Sequence, residues 1–295
     1  MSEWFDDIPV AGALDDEALF EKLGEPVHAP PTTAMTRAPG ERFGLAEWLF
    51  GDAPWRHTSH GFGFIPAGAS GRLAIQDVGG VQPEPDLRDA RLRISLDGLR
   101  VADYPGTGMH RVLFNFFVQN RTDTGVEDVN FNATYRIREG DGAAVLNYPI
   151  FVGVSPPETG LVIRCFTVNV KNDNDESFLD LLESDTFKIG LQLVNTAQPA
   201  LAPLSSFAVG MTKAIAKRNR NVAVQDVQFG LDFGGTSTGA RLAVGSYIAV
   251  QMPSAFLRSW RWSDWSYDTS SGQILGSADR LLPLNYFVIG VSRSG

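Results

Sequence analysis

The chain has 295 residues, 43% of them hydrophobic and 20% charged, with a formal net charge of −9. That apolar share is ample for a packed core, and the acidic balance works against binding along a phosphate backbone, so no nucleic-acid partner is expected. The single cysteine, Cys165, excludes an internal disulfide framework and suits a reducing compartment. The N-terminus, Met1-Ser2-Glu3-Trp4-Phe5-Asp6-Asp7, lacks the apolar run of a secretory signal, and no stretch approaches the ~18 apolar residues of a membrane helix. Together these predict a cytoplasmic protein.

Residues 1–56 read as an N-terminal arm. Asp15 and Asp16 can cap a short helix from Glu17 to Leu23 that Gly24 ends. The proline- and threonine-bearing stretch from Pro26 to Pro39 holds regular structure poorly and reads as a linker or a segment laid along a surface. Leu45 to Phe50 is a short apolar turn or helix, and Trp48, Phe50 and Trp55 are the residues expected to staple the arm to the main body.

From about Gly61 onward the pattern is that of strands. Arg72–Val78 alternates, and Arg91–Leu96 places Leu92, Ile94 and Leu96 on one face, the period of a half-buried antiparallel strand. Val112–Val118 is a more continuous apolar run, and Phe131–Ile137 alternates again. The turn Glu139-Gly140-Asp141-Gly142 leads into a strand over Ala144–Val152. Leu161–Val170 follows, with Val162, Arg164, Phe166, Val168 and Val170 on one face and Ile163, Cys165 and Thr167 on the other.

Two helices interrupt the strands. One spans Glu176–Ile189, and one begins at Pro203 and runs to about Arg218 with Phe207, Met211 and Ile215 as its apolar stripe. The last turn of the second is basic (Lys213, Lys217, Arg218, then Arg220), a charge that offsets the helix dipole. Strands resume at Val224–Phe233, Ser246–Met252, Leu257–Trp262 and Tyr286–Val291. The fold class is mainly β: an antiparallel β-sandwich domain over 57–295 with two inserted helices, preceded by the arm.

Two loops concentrate hard oxygen ligands. One contains Asp103 within Leu99–Gly108, and the other is Asn172–Asp180 with Asp173, Asp175 and Asp180. A second reading makes Asp175 the cap of the helix at Glu176 and Asp173 a turn former. The two segments resemble the calcium-binding loops of the calcium- and lipid-binding β-sandwich family typified by protein kinase C and synaptotagmin. Asp103 and Gly106 match the first loop, Asp173 and Asp175 the second, and Asp180 stands near its last aspartate. The family's second aspartate of the first loop is replaced here by Met109-His110-Arg111, and Asp180 is one residue short of the usual spacing. The resemblance implies a sandwich whose loops take calcium through Asp103, Asp173, Asp175 and Asp180.

Other chemistry is sparse. His57-x-x-His60 supplies two zinc-type ligands where three or four are needed, and reads better as loop histidines at the docking arm. Cys165 lies mid-strand among Val162, Ile163 and Phe166, a packing position rather than a thiol paired with His110. No nucleophile elbow and no phosphate-cradling loop is present. The segment Ser259–Tyr267 holds three of the six tryptophans, with Trp260 and Trp262 expected on one strand face. Trp260, Trp262, Trp265 and Tyr267 are therefore either part of the core or a surface for a protein, a peptide or a sugar ring.

These features predict a non-enzymatic module that binds a protein partner or a membrane surface through loops at one end of the sandwich. Two alternatives stand beside it: an assembly protein whose arm makes subunit contacts in a homo-oligomer, and a hydrolase with an unrecognised site.

Overall fold

The computed structural model describes residues 4–24, 52–68, 70–106, 108–142, 145–175, 179–180, 201–234 and 239–294, without the side chains of 173 and 201–204. Its strands are β1 (His60–Pro66), β2 (Arg72–Ala74), β3 (Gln76–Asp77), β4 (Leu92–Arg100), β5 (Met109–Thr122), β6 (Gly125–Arg138) and β7 (Tyr148–Val154). They continue with β8 (Leu161–Val170), β9 (Val222–Asp232), β10 (Ala240–Arg241), β11 (Gly245–Gln251), β12 (Ser266–Asp268), β13 (Gln273–Leu275) and β14 (Tyr286–Arg293). Helices bounded within the described residues are α1 (Asp16–Leu23), α2 (Leu201–Lys217) and the single turn α3 (Ser254–Leu257).

The expected mainly-β sandwich is present. One sheet runs β3-β1-β11-β14-β4-β7 and the other β10-β9-β8-β5-β6, antiparallel except for the β9–β10 pair. The chain leaves β4 for the β5–β6 hairpin in the opposite sheet and returns to pair β7 with β4; it then crosses again to pair β8 with β5. Inner faces meet through aromatic rings: Phe114 of β5 and Phe229 of β9 both stand edge-on to Phe287 of β14, and Phe131 of β6 stands edge-on to Phe151 of β7. The alternation that marked Leu92, Ile94 and Leu96 is the inner face of β4, and all three are fully buried. Cys165 and Thr167 pair in register with Phe116 and Phe114, which places them on the inner face, while Arg164 and Phe166 point outward.

Each sheet is also covered outside. α2 lies on β6, where Ser205 Oγ accepts the Asn130 amide at 3.1 Å and Asn132 Nδ2 donates to Thr212 Oγ1 at 2.9 Å. The arm covers the neighbouring part of the same outer face. Asp15 caps α1 by accepting the Ala18 amide at 2.9 Å, and Gly24 ends it in the left-handed region at φ 69°, as its sequence predicts. Phe5, Ile8, Leu19, Leu23 and Trp55 belong to the same apolar cluster as the sandwich core.

On the outer face of the other sheet, β13-β12-β2 forms a small third sheet over a second apolar cluster that includes Ile248, Val250, Tyr286 and Val288. Residue 63 is glycine because Trp262 passes directly over it: a Cβ there would lie 2.9 Å from the indole ring.

Four expectations change in detail. The strand expected over Leu257–Trp262 is instead α3 followed by the turn Trp262–Asp264; Pro253 lies at the N-cap of α3, and Trp262 turns inward to donate Nε1 to the Phe62 carbonyl at 2.8 Å. The strand expected from Ala144 begins only at Tyr148, after Asn147 adopts φ 52°. Arg72–Val78 is split between two sheets, β2 pairing with β12 and β3 with β1. The second inserted helix spans Leu201–Lys217, starting ahead of Pro203. The expectations for Pro26–Pro39, Leu45–Phe50 with Trp48, and nearly all of the helix over Glu176–Ile189 lie outside the described residues; Leu179 and Asp180 are helical.

Candidate functional site

β4, β6, β8 and β11 all end at one end of the sandwich, where the predicted acidic loops and the tryptophan segment emerge. The first loop is held by Asn285, which accepts the amides of Ala102 and Asp103 at 2.9 and 3.0 Å and donates to the Asp103 carbonyl at 2.7 Å. Asn169, near the end of β8, donates to the Pro105 carbonyl at 2.8 Å and so ties the first loop to the strand that leads into the second.

Asp175 is fully buried, and both its oxygens are occupied. Oδ1 receives the Arg218 guanidinium and Oδ2 receives Asn221 Nδ2 at 2.5 Å. Asn221 in turn accepts the amides of Lys171 and Asn172, each at 2.9 Å. The carboxylate thus fastens the C-terminal end of α2 to the loop after β8. Asp180 is exposed, and the Asp173 side chain lies outside the described residues. Among the described residues, no group of three or more His, Cys, Asp or Glu is gathered in a way that could hold a metal ion.

The four aromatic candidates divide into two pairs. Trp262 and Tyr267 are anchors, 6% and 4% exposed, and Tyr267 donates its hydroxyl to the Asp97 carbonyl at 3.2 Å. Trp260 and Trp265 are half-buried and stack on each other, with centroids 5.6 Å apart and planes 7° from parallel. Trp262 stands nearly perpendicular to Trp260 at 5.6 Å and fixes the stack from beneath. Gly276 lies against Trp265, where a Cβ would come 3.0 Å from the ring. Half-buried Phe256 and Leu257, 41% exposed, extend the apolar surface, and Arg258, Arg261 and Asp264 stand exposed around it. Strand alternation does not produce this surface; the α3 turn does, with the Trp260 amide donating to the Phe256 carbonyl at 2.8 Å.

The remaining reactive groups are apart from one another. Cys165 is buried, which pushes its thiol well above the ordinary range. His110 lies six residues away from the Cys165 pairing position on β5, roughly 20 Å along the strand, so no thiol–imidazole pair forms. Burial lowers His57 and takes His60 and His110 down to about 4, so all three imidazoles are neutral at pH 7.

One constellation is not anticipated by the residue-by-residue reading: the groove under the arm. Phe5 lies flat on Phe166 at 4.1 Å, and Trp4 stands edge-on to Phe117 at 4.3 Å. Arg164 holds Asp226 and also Asp6, the latter at 3.1 Å. Asp7 receives Lys213 at 3.1 Å and Lys217 at 2.6 Å, and these two lysines bring its carboxyl down to about 2. Arg56 bonds to Asp16 at 2.8 Å. The basic end of α2 therefore serves as the counter-surface of the acidic arm. The only signal of this in the sequence is compositional: the first 24 residues hold seven of the chain's 34 acidic groups and one of its 25 basic ones.

No helix among the described residues is long and apolar enough to cross a membrane. Comparison with family models, with curated proteins and with solved structures finds no match to this chain.

Proposed function

We propose that this protein is a non-enzymatic β-sandwich module that binds a protein partner through the aromatic surface formed by Trp260, Trp265, Phe256 and Leu257. The observation that carries this reading is the stacked Trp260–Trp265 pair, held by Trp262 from below yet left half-covered above. A rigid aromatic pair surrounded by arginines has the composition of an interface hot spot, because large rings displace much water at little cost in side-chain entropy. The segment leaves β11 at the loop end and folds back over β1, where Trp262 lies on Gly63 and bonds the Phe62 carbonyl, so a partner would meet a preorganised surface. The inward positions of Cys165 and His110 support a binding rather than a catalytic role.

The test compares the unaltered chain with a Trp260→Ser/Trp265→Ser variant of matched melting temperature. Acrylamide should quench the unaltered chain more strongly than the variant, whose remaining tryptophans include the buried Trp55 and Trp262. Affinity capture should then show discrete proteins that the unaltered chain retains and the variant loses. Identical capture profiles would sink the proposal, and loss of binding to anionic vesicles instead would move it to a membrane surface.

A further inference from the structure

We propose that residues 4–24 form an exchangeable arm that also docks into the same groove of a second copy of this chain. The groove is built to recognise an acidic, aromatic segment. Phe166 and Phe117 receive rings, Arg164 receives a carboxylate, and Lys213 and Lys217 converge on another. This basic surface sits on a protein of net charge −9, and the segment that complements it is carried by every copy.

The connection allows either partner. The arm ends at Gly24 and the main body resumes at Asp52, with 27 residues between them. Fully extended, that connection spans roughly 90 Å. Its ends are held near each other: Arg56 bonds Asp16 at 2.8 Å and lies 3.3 Å from Asp52, while Gly24 is one α1 length, about 12 Å, from Asp16. A connection several times longer than the gap lets the arm reach its own groove or a neighbour's. The contacts are identical in both cases, so concentration decides the partner, as in domain swapping.

A charge exchange between two full-length chains tests this. One chain carries Asp7→Lys, and the other carries Lys213→Asp with Lys217→Asp. Alone, each places like charges between its own arm and groove, and each is expected to remain a monomer with an arm that proteases cut readily. Mixed in equal amounts, exchange restores opposite charges at both docking sites. The expected result is a species of twice the monomer mass that dissociates as salt rises from ~0.05 to ~0.5 M. A mixture that stays monomeric at several hundred micromolar overturns the proposal. If either variant fails to fold, deletion of residues 26–50 from the unaltered chain tests the same exchange. Two connecting residues then remain, roughly 10 Å at full stretch, less than the α1 length that separates Gly24 from Asp16, which prevents docking at home. A dimer supports exchange, and a monomer overturns it.

Discussion

Acidification from about pH 8 to about pH 5 should destabilise this protein chiefly through two histidines, with His57 adding in the same sense. His60 opens β1, and His110 lies inside the sandwich near the start of β5, with Nδ1 3.4 Å from Asn169 Oδ1 and the Tyr104 ring edge-on at 5.9 Å. Burial brings both from 6.5 to about 4, with Lys171 adding to the effect at His110. The folded state therefore resists a proton that the unfolded chain accepts. The stabilisation is complete above 6.5 and is lost as pH falls from 6.5 towards 4. At about pH 5 each histidine costs about 2 kcal/mol, about 4 kcal/mol together. With a urea m-value of about 2 kcal/mol/M, the unfolding midpoint should drop by about 2 M. Asp97 acts in the opposite sense: burial raises its carboxyl, so its contribution is lost as pH rises through the folded value. Urea titrations of the unaltered chain and of a His60→Gln/His110→Gln variant at both pH values separate these effects, because Asp97 is common to both. The reasoning is refuted if the variant loses as much stability on acidification as the unaltered chain.

Arg218→Ala should cost about 3 kcal/mol, because it leaves the buried Asp175 carboxylate with Asn221 alone; adding Asp175→Asn should recover part of that loss in the same thermal melt. Gly290→Ala should cost about 1–3 kcal/mol, since its Cβ would lie 2.4 Å from both Asp97 Oδ2 and Ser95 Oγ, where Asp97 crosses β14 to accept from Ser246. The same substitution in a Ser95→Ala/Asp97→Ser background should cost clearly less by urea unfolding, and an equal cost would show that the clash lies elsewhere.

The sandwich was legible because each central strand is apolar on the side that meets the other sheet. Leu92, Ile94 and Leu96 announce this by alternation alone, and the cap and stop of α1 are written in Asp15 and Gly24. What failed was local pattern without its tertiary cause. Leu257–Trp262 has the β-propensity of a strand, yet Pro253 and the pull of Trp262 into the second cluster make it the end of a helical turn and a loop. Arg72–Val78 alternates like one strand, but buried Ile75 lies at the break where the chain passes from the small sheet to the large one.

The sites show the same division more sharply. Asp175 reads as a ligand or a cap while only its neighbours are considered; its partners Arg218 and Asn221 are 43 and 46 residues away, and they turn it into a buried fastening. The basic end of α2 is explained equally well by the helix dipole until Asp7 is brought to Lys217 from 210 residues away. A local explanation can be sufficient in energy and still miss the partner, because a dipole is offset by any cation while an ion pair needs a particular anion. The uneven distribution of charge between the first 24 residues and the remainder is the one feature that a local account of α2 leaves unexplained. An arm that carries so much of the protein's acidity, seated on a basic groove, is held by contacts that another copy can supply equally well.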